Sequence, residues 1–206
     1  MDSQETMTHA QSHPLSHHLL TMAYQNAWAN HRLLKACAQL SQADFSAPRS
    51  GFFPSIVATL NHILTVDWFY IDALERELRG EAPHPDCYAF FEPEQPFASC
   101  AELQREQAAA DRRLIAYCAQ LDDAGMGRHV SIARPQRTQR DTRTRLLSHL
   151  LEHQIHHRGQ VHAMLSSTAV KPPQLDEFFC EGEDHLRATD FAELGWTEEA
   201  IWNKGE

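Results

Sequence analysis

Four stretches of this sequence repeat apolar or small residues every three to four positions, and breaks rich in proline, glycine or polar residues separate them. A period near 3.6 commits each stretch to an amphipathic helix whose apolar face must be covered. Four such helices cover one another as a bundle. The first segment spans 14–40, with Leu19, Ala23, Ala27, Asn30, Leu34 and Ala38 in step. The second spans 54–79, where Pro54 suits a first helical turn and Gly80 a stop. The third spans 98–122. The fourth spans 142–168, with Asp141 or Thr142 placed to cap it.

The breaks define the connections. "GEAPHPDCYAFFEPEQPF" has prolines at 83, 85, 93 and 96, which excludes regular structure and predicts a long crossover between helices two and three. "DDAGMGRHVSIARPQRTQRDT" interrupts the helical period before helix four, and its "HVSIA" suits one strand of a short hairpin. A tail, 169–206, turns helical again around "TEEAIW". The expectation is an all-α chain, one four-helix-bundle domain over residues 1–206, a length that can bury a core.

The net charge of −10 argues against broad binding to nucleic acid or to an anionic membrane. No run of apolar residues is long enough to span a bilayer. The start, "MDSQETMTHAQSHPLSHH", does not read as a secretory signal, so a cytoplasmic protein is expected. Cys37, Cys87, Cys100, Cys118 and Cys180 form no CxxC pair and read as reduced, structural thiols.

"HLLEHQIHHRGQVH", residues 149–162, concentrates imidazoles on the fourth helix. Residues four apart share a helix face, so His149, His153 and His157 form a stripe. Leu146, Leu150, Val161 and Met164 share its direction, which turns the stripe inward. Buried imidazoles need hydrogen-bond partners or a metal. HxxxH is the spacing by which one helix offers two nitrogens to one ion, and it occurs twice here, as His149/His153 and His153/His157. A third ligand would come from another helix, and His62 in "TLNHILTVDWFY" shares a face with Ser55, Ala58, Val66 and Phe69. Three histidines would leave a coordination position open. The plainer reading is chance spacing in a histidine-rich chain, with His62 bonded to a carbonyl in the core. His156 and His162 read as packing or solvent-facing residues.

The stretches "YQNAWANHRLL", "GFFPSIVATLNHILTVDWFY" and "LLSHLLEHQIHHRGQVHAMLSS", followed by "KPPQLDEFF", resemble the DinB family of the wider DinB/YfiT-like superfamily. The likeness spans most of residues 15–180 and is weakest in the third helix and in the acidic tail. It implies an up-down-down-up bundle, assembled as a homodimer, with metal ligands falling on His62, His153 and His157. His149 then becomes a flanking residue. Glu152 stands where relatives commonly have asparagine, and His31 where they have arginine; neither is a ligand position.

Imidazole ligation suits zinc or nickel, with manganese and iron open. An open position could activate water for hydrolysis, or bind a small thiol that attacks an electrophile. The resemblance favours the thiol, because superfamily members include thiol-dependent S-transferases. The alternative is a non-enzymatic metal-binding stress-response protein whose ion is fully coordinated, with Glu152 or a partner chain completing the set; a helical dimer without metal is a third reading. Six arginines between Arg128 and Arg145 form either a solvated segment or an anion-attracting rim. Gly159, costing about 1 kcal/mol in a helix interior, suggests close approach of another helix. Gln160 lies near enough to His157 on the helix to support it, and Arg158 reads as a packing or ion-pair residue.

Overall fold

Three of the four long helices start at a hydroxyl, of Ser55, Ser99 or Thr142, that accepts from an N–H of the first turn. The computed structural model describes residues 14–202; the acidic start of the sequence and its last four residues lie outside them. Helix α1 (Leu15–Cys37) follows Pro14, and a short helix α2 (Gln42–Ser46) is capped by Ser41. Helix α3 (Ile56–Arg79) is capped by Ser55, whose Oγ accepts from the Ala58 N–H. Pro54 therefore precedes the cap rather than occupying the first turn. Gly80 ends α3 at φ 68°, the left-handed conformation that favours glycine. Helix α4 (Cys100–Cys118) opens with a capping box between Ser99 and Glu102.

A hairpin of β1 (His129–Arg134) and β2 (Arg137–Thr142) pairs antiparallel, Val130 opposite Asp141 and Arg134 opposite Arg137. Thr142 then caps helix α5 (Arg143–Leu165). Val130 and Ile132 are buried, so the hairpin lays one face on the core. The arginines here do not all form a rim. Arg143 is buried and bonds Glu77 at 2.5 and 2.8 Å. Arg134 lies 4.9 Å over the Phe69 ring and donates to the Tyr70 hydroxyl at 3.2 Å. Arg134 holds the hairpin to α3, because a guanidinium can bond and stack at once, and Arg143 holds the start of α5 to the same helix; Arg128, Arg137, Arg140 and Arg145 stay exposed.

Helix α1 packs on α4 and α5, and α3 packs on the same two. Leu64, Leu74, Leu114, Leu150 and Leu165 fill the space between them. The tail, helices α6 (Ala188–Leu194) and α7 (Glu198–Trp202) included, returns to α1. There Phe178, Phe191 and Ile201 enclose Trp28 in a second apolar cluster. Arg32 bonds Asp190 at 2.5 Å and Lys35 bonds Glu193 at 2.6 Å, securing α6. The chain is thus mostly helical with one two-stranded sheet. All five cysteines are free. Burial raises Cys37 and Cys118, the latter to about 12, which keeps both as inert thiols. Among the described residues, no helix is long and apolar enough to cross a membrane.

Candidate metal centre

Helices α3 and α5 lie side by side, and their contact brings together residues 91 positions apart: His62 Nε2 and His153 Nε2 face each other at 3.0 Å. One turn further along α5, the His157 ring centroid lies 4.6 Å from that of His62 and 4.4 Å from that of His153. One ring nitrogen from each of the three lies within 4.8 Å of the others. Nitrogens sharing one tetrahedral zinc ion stand roughly 3.3 Å apart, given bonds of about 2.0–2.1 Å. The donor set and its spacing fit such an ion.

The overlapping HxxxH pairs separate here. His149 is exposed, its ring is 6.4 Å from His153, and it packs against Tyr70 at 5.3 Å. It does not join the group. The stripe therefore runs from solvent to interior: His149 exposed, His153 half-buried, His157 buried. Exposed His156 meets the Gln160 side chain at 3.0 Å, and half-buried His162 donates to the Pro173 carbonyl at 3.0 Å. Gln160 Oε1 accepts from His157 Nδ1 at 3.0 Å, which fixes the ring and leaves Nε2 as its acceptor.

Burial pushes His62 down to about 4 and His153 to about 3, with repulsion from the neighbouring imidazoles adding to both. Burial lowers His157 as well, against the opposing hydrogen bond to Gln160. At neutral pH the three rings are uncharged, so their lone pairs need not shed protons to bind an ion. His153 Nδ1 is buried without a hydrogen-bond partner.

Two phenylalanines escaped the sequence reading. Phe53 lies 4.4 Å from His62 and 5.6 Å from His157, and Phe52 stacks edge-on against it at 5.0 Å. They belong to the segment between α2 and α3, close in sequence to the cap of the histidine-bearing helix. A dipeptide "FF" beside a helix start was the available signal.

A buried polar cluster was also missed. Asp67 of α3, Gln107 and Asp111 of α4, Gln154 and Arg158 of α5, and Asn26 and Asn30 of α1 meet in the interior. Gln107 Nε2 donates to Asp67 Oδ2 at 2.6 Å and to Asp111 Oδ1 at 3.2 Å, and Gln154 also donates to Asp67. Asn30 donates to Asp111 and accepts from Arg158, both at 3.0 Å, while Asn26 accepts from Arg158 at 2.6 Å. Burial, helped by the nearby Asp111, raises Asp67 to about 7; burial raises Asp111 to about 6. Gly159 behaves otherwise than expected: a Cβ there would meet nothing within 4 Å, so no helix approaches it.

His31 of α1 gathers with Asp190 and Glu193, but Arg32 and Lys35 already pair with those carboxylates. That group is an ion-pair clasp between α1 and α6.

With this geometry in place, the chain matches the profile of the DinB family over residues 15–187. A DinB-like protein from Bacillus cereus ATCC 10987, known as a crystal structure, superimposes with a TM-score of 0.51 at 14% identity. The overlap covers 71% of this chain and 90% of that one, and it shows a shared fold. No curated protein matches the chain.

Proposed function

The chain belongs to the DinB family, and we propose that His62, His153 and His157 hold one divalent transition-metal ion beside which a low-molecular-weight thiol is delivered to an electrophile. The observation that carries this reading is the convergence of three uncharged imidazoles from two helices, one of them oriented by Gln160. Neutral nitrogen donors favour zinc or nickel, with manganese and iron as weaker candidates. Such an ion, when bound, supplies a Lewis acid that makes a ligated thiol or water more acidic near neutral pH.

The chain's own groups divide the remaining work. His62 and His153 offer Nε2 from opposite helices, and Gln160 keeps His157 in the tautomer that can ligate. Phe53 covers one side of the His62 ring and keeps water from it. The thiol proton leaves to solvent, sulfur bonds to the electrophilic carbon, and the leaving group departs with its electron pair. Among the described residues the donor group holds only three side chains, and Glu152 is exposed, which supports an open position over a fully coordinated stress-response ion.

Elemental analysis of freshly purified protein tests the first half of the reading, with about one ion per chain expected and loss in His153→Ala. Assays pairing small thiols with alkylating electrophiles test the second. Stoichiometric metal with no turnover for any pair would leave the ion and remove the transferase; water attack on activated esters would then point to hydrolysis. We also read the four long helices as a single up-down-down-up bundle that forms a homodimer in the cytoplasm. The packing of α1 and α3 each on α4 and α5 supports the bundle, and sedimentation velocity reads the dimer.

A further inference from the structure

Arg49 bonds the segment joining α2 to α3 to the body of the protein. The Arg49 N–H donates to the Pro54 carbonyl at 2.7 Å, closing the segment into a loop. Its guanidinium donates to the Asp44 carbonyl of α2 at 2.8 Å and to Ser167 Oγ, just past α5, at 3.0 Å. Gly51 lies so near α5 that a Cβ there would stand 2.4 Å from Met164 Cε. A loop fastened at both ends and pressed on α5 holds its side chains in place. Those side chains are Phe52 and Phe53.

Phe53 is half-buried and tilts 35° from the plane of His62, so it forms the wall of the histidine site. Phe52 is 79% exposed, the most exposed large apolar side chain among the described residues, yet its ring lies 5.0 Å from Phe53 and 6.4 Å from His157. A scattered exposed phenylalanine needs no explanation. One fixed by a pinned loop beside three convergent imidazoles does, because its open face is apolar surface that a ligand at those imidazoles would remove from water. Aromatic rings prefer edge-on or offset neighbours at such separations, and Phe52 with Phe53 already presents that arrangement on one side.

We infer that Phe52 and Phe53 form an aromatic shelf at the mouth of the three-histidine site, which selects ligands carrying a ring or bulky apolar group close to the atom that binds the ion. The inference rests on the metal reading of His62, His153 and His157 and adds the class of molecule the site takes. Polar small thiols lack the surface to use the shelf. A thiol or electrophile with an aromatic or branched apolar group one or two bonds from its reacting atom uses it fully.

Cobalt(II)-loaded protein provides a test without turnover, since thiol binding alters the visible spectrum of the ion. Phenylmethanethiol and 2-mercaptoethanol are titrated into the wild type and into Phe52→Ala, whose cobalt content should equal that of the wild type. The wild type is expected to prefer phenylmethanethiol by about tenfold or more, a difference of about 1.4 kcal/mol, and Phe52→Ala to lose most of that preference. Phe53→Leu, which keeps apolar bulk, should retain an intermediate ratio. Cobalt bound at one per chain with the same ratio in wild type and Phe52→Ala overturns the shelf and leaves the metal site standing. Failure to bind cobalt, or a spectrum that neither thiol changes, overturns both. A Phe52→Ala protein that sediments as a smaller species than the wild type assigns Phe52 to a contact between copies and also overturns the shelf.

Discussion

Two polar regions lie next to each other along the same helix and end up in opposite states. His153 and His157 of α5 turn toward His62, while the residues immediately after them, Gln154 and Arg158, turn toward Asp67, Asp111 and the asparagines of α1. The histidine side is partly open and keeps its nitrogen lone pairs available. The other side is sealed; Gln154 is wholly buried, and Arg158 is 3% exposed. A helix one residue out of phase thus separates a site prepared to accept a ligand from a cluster closed to solvent, whose side chains bond mainly to one another and leave only Asp67 Oδ1 and Gln154 Oε1 without a partner. The sealed cluster ties α5 to α1, α3 and α4, and that tie sets the distance at which the open site's rings meet.

The largest effect should come from breaking the sealed side. Arg158→Met leaves Asp67 and Asp111 buried without their cation, and loss of one partner of a buried ionic group typically costs 3–5 kcal/mol. Urea denaturation should show a loss of about that size at pH 8. It should shrink at pH 5, where both carboxylates hold protons. Equal losses at both pH values would mean that the arginine serves packing alone.

Acid titration of the metal-free protein sets the two regions against each other. Folded His62 and His153, at about 4 and about 3, stay neutral where unfolded histidines near 6.5 take up protons. Acidification from pH 6.5 to 4 therefore draws the chain toward the unfolded state. Asp67 and Asp111 act in the other direction: they keep protons up to about 7 and about 6 in the fold, while unfolded carboxylates lose theirs near 4. Over the same interval their contribution grows as the pH falls. The wild type should show a shallow stability profile between pH 4 and 6.5. Asp67→Asn should steepen its loss in acid, and His153→Ala should reverse the slope toward greater stability in acid. Profiles that stay parallel for all three proteins would break the contrast.

Gln160→Leu probes the open side more gently. It removes the acceptor for His157 Nδ1 without touching a ligand nitrogen. Supporting bonds of this kind typically change metal affinity by 10–100-fold. Competition with a chromophoric chelator should find zinc bound more weakly by that factor at unchanged stoichiometry. The smallest effect belongs to Gly159→Ala. Its position is helical, exposed and free of neighbours, so the substitution should stabilise the fold by about 0.5–1 kcal/mol and leave metal binding unchanged.

The sequence disclosed the features that repeat locally. Helical period located α1, α3, α4 and α5 to within a few residues, because buried faces such as Leu146, Leu150 and Val161 recur once or twice per turn. "HVSIA" marked one strand of the hairpin, and the partner strand, Arg137–Thr142, was not read. The histidine stripe was visible from spacing, and His62 from the face it shares with Ser55, Ala58, Val66 and Phe69; the choice of His153 and His157 over His149 rested on the family likeness. Other features depend on partners distant in the chain. Asn30 already stood in the apolar stripe of the first helix, yet nothing nearby tells that Asp111 and Arg158 would reach it. Gly159 looked like a contact residue because helix-interior glycines cost stability, and here no neighbour uses the space. Helix α2 is one short turn around buried Phe45, below the length at which periodicity registers.

The tail's enclosure of Trp28 has an optical consequence. That indole has no solvent exposure, and Phe178 stands 5.6 Å from it. Peeling residues 176–202 away from α1 would shift its emission to longer wavelength while leaving the circular dichroism of the long helices nearly intact. In a protein whose Trp68, Trp196 and Trp202 are replaced by phenylalanine, fluorescence under rising urea thus reports when the tail lets go, independently of when the histidine-bearing helices part.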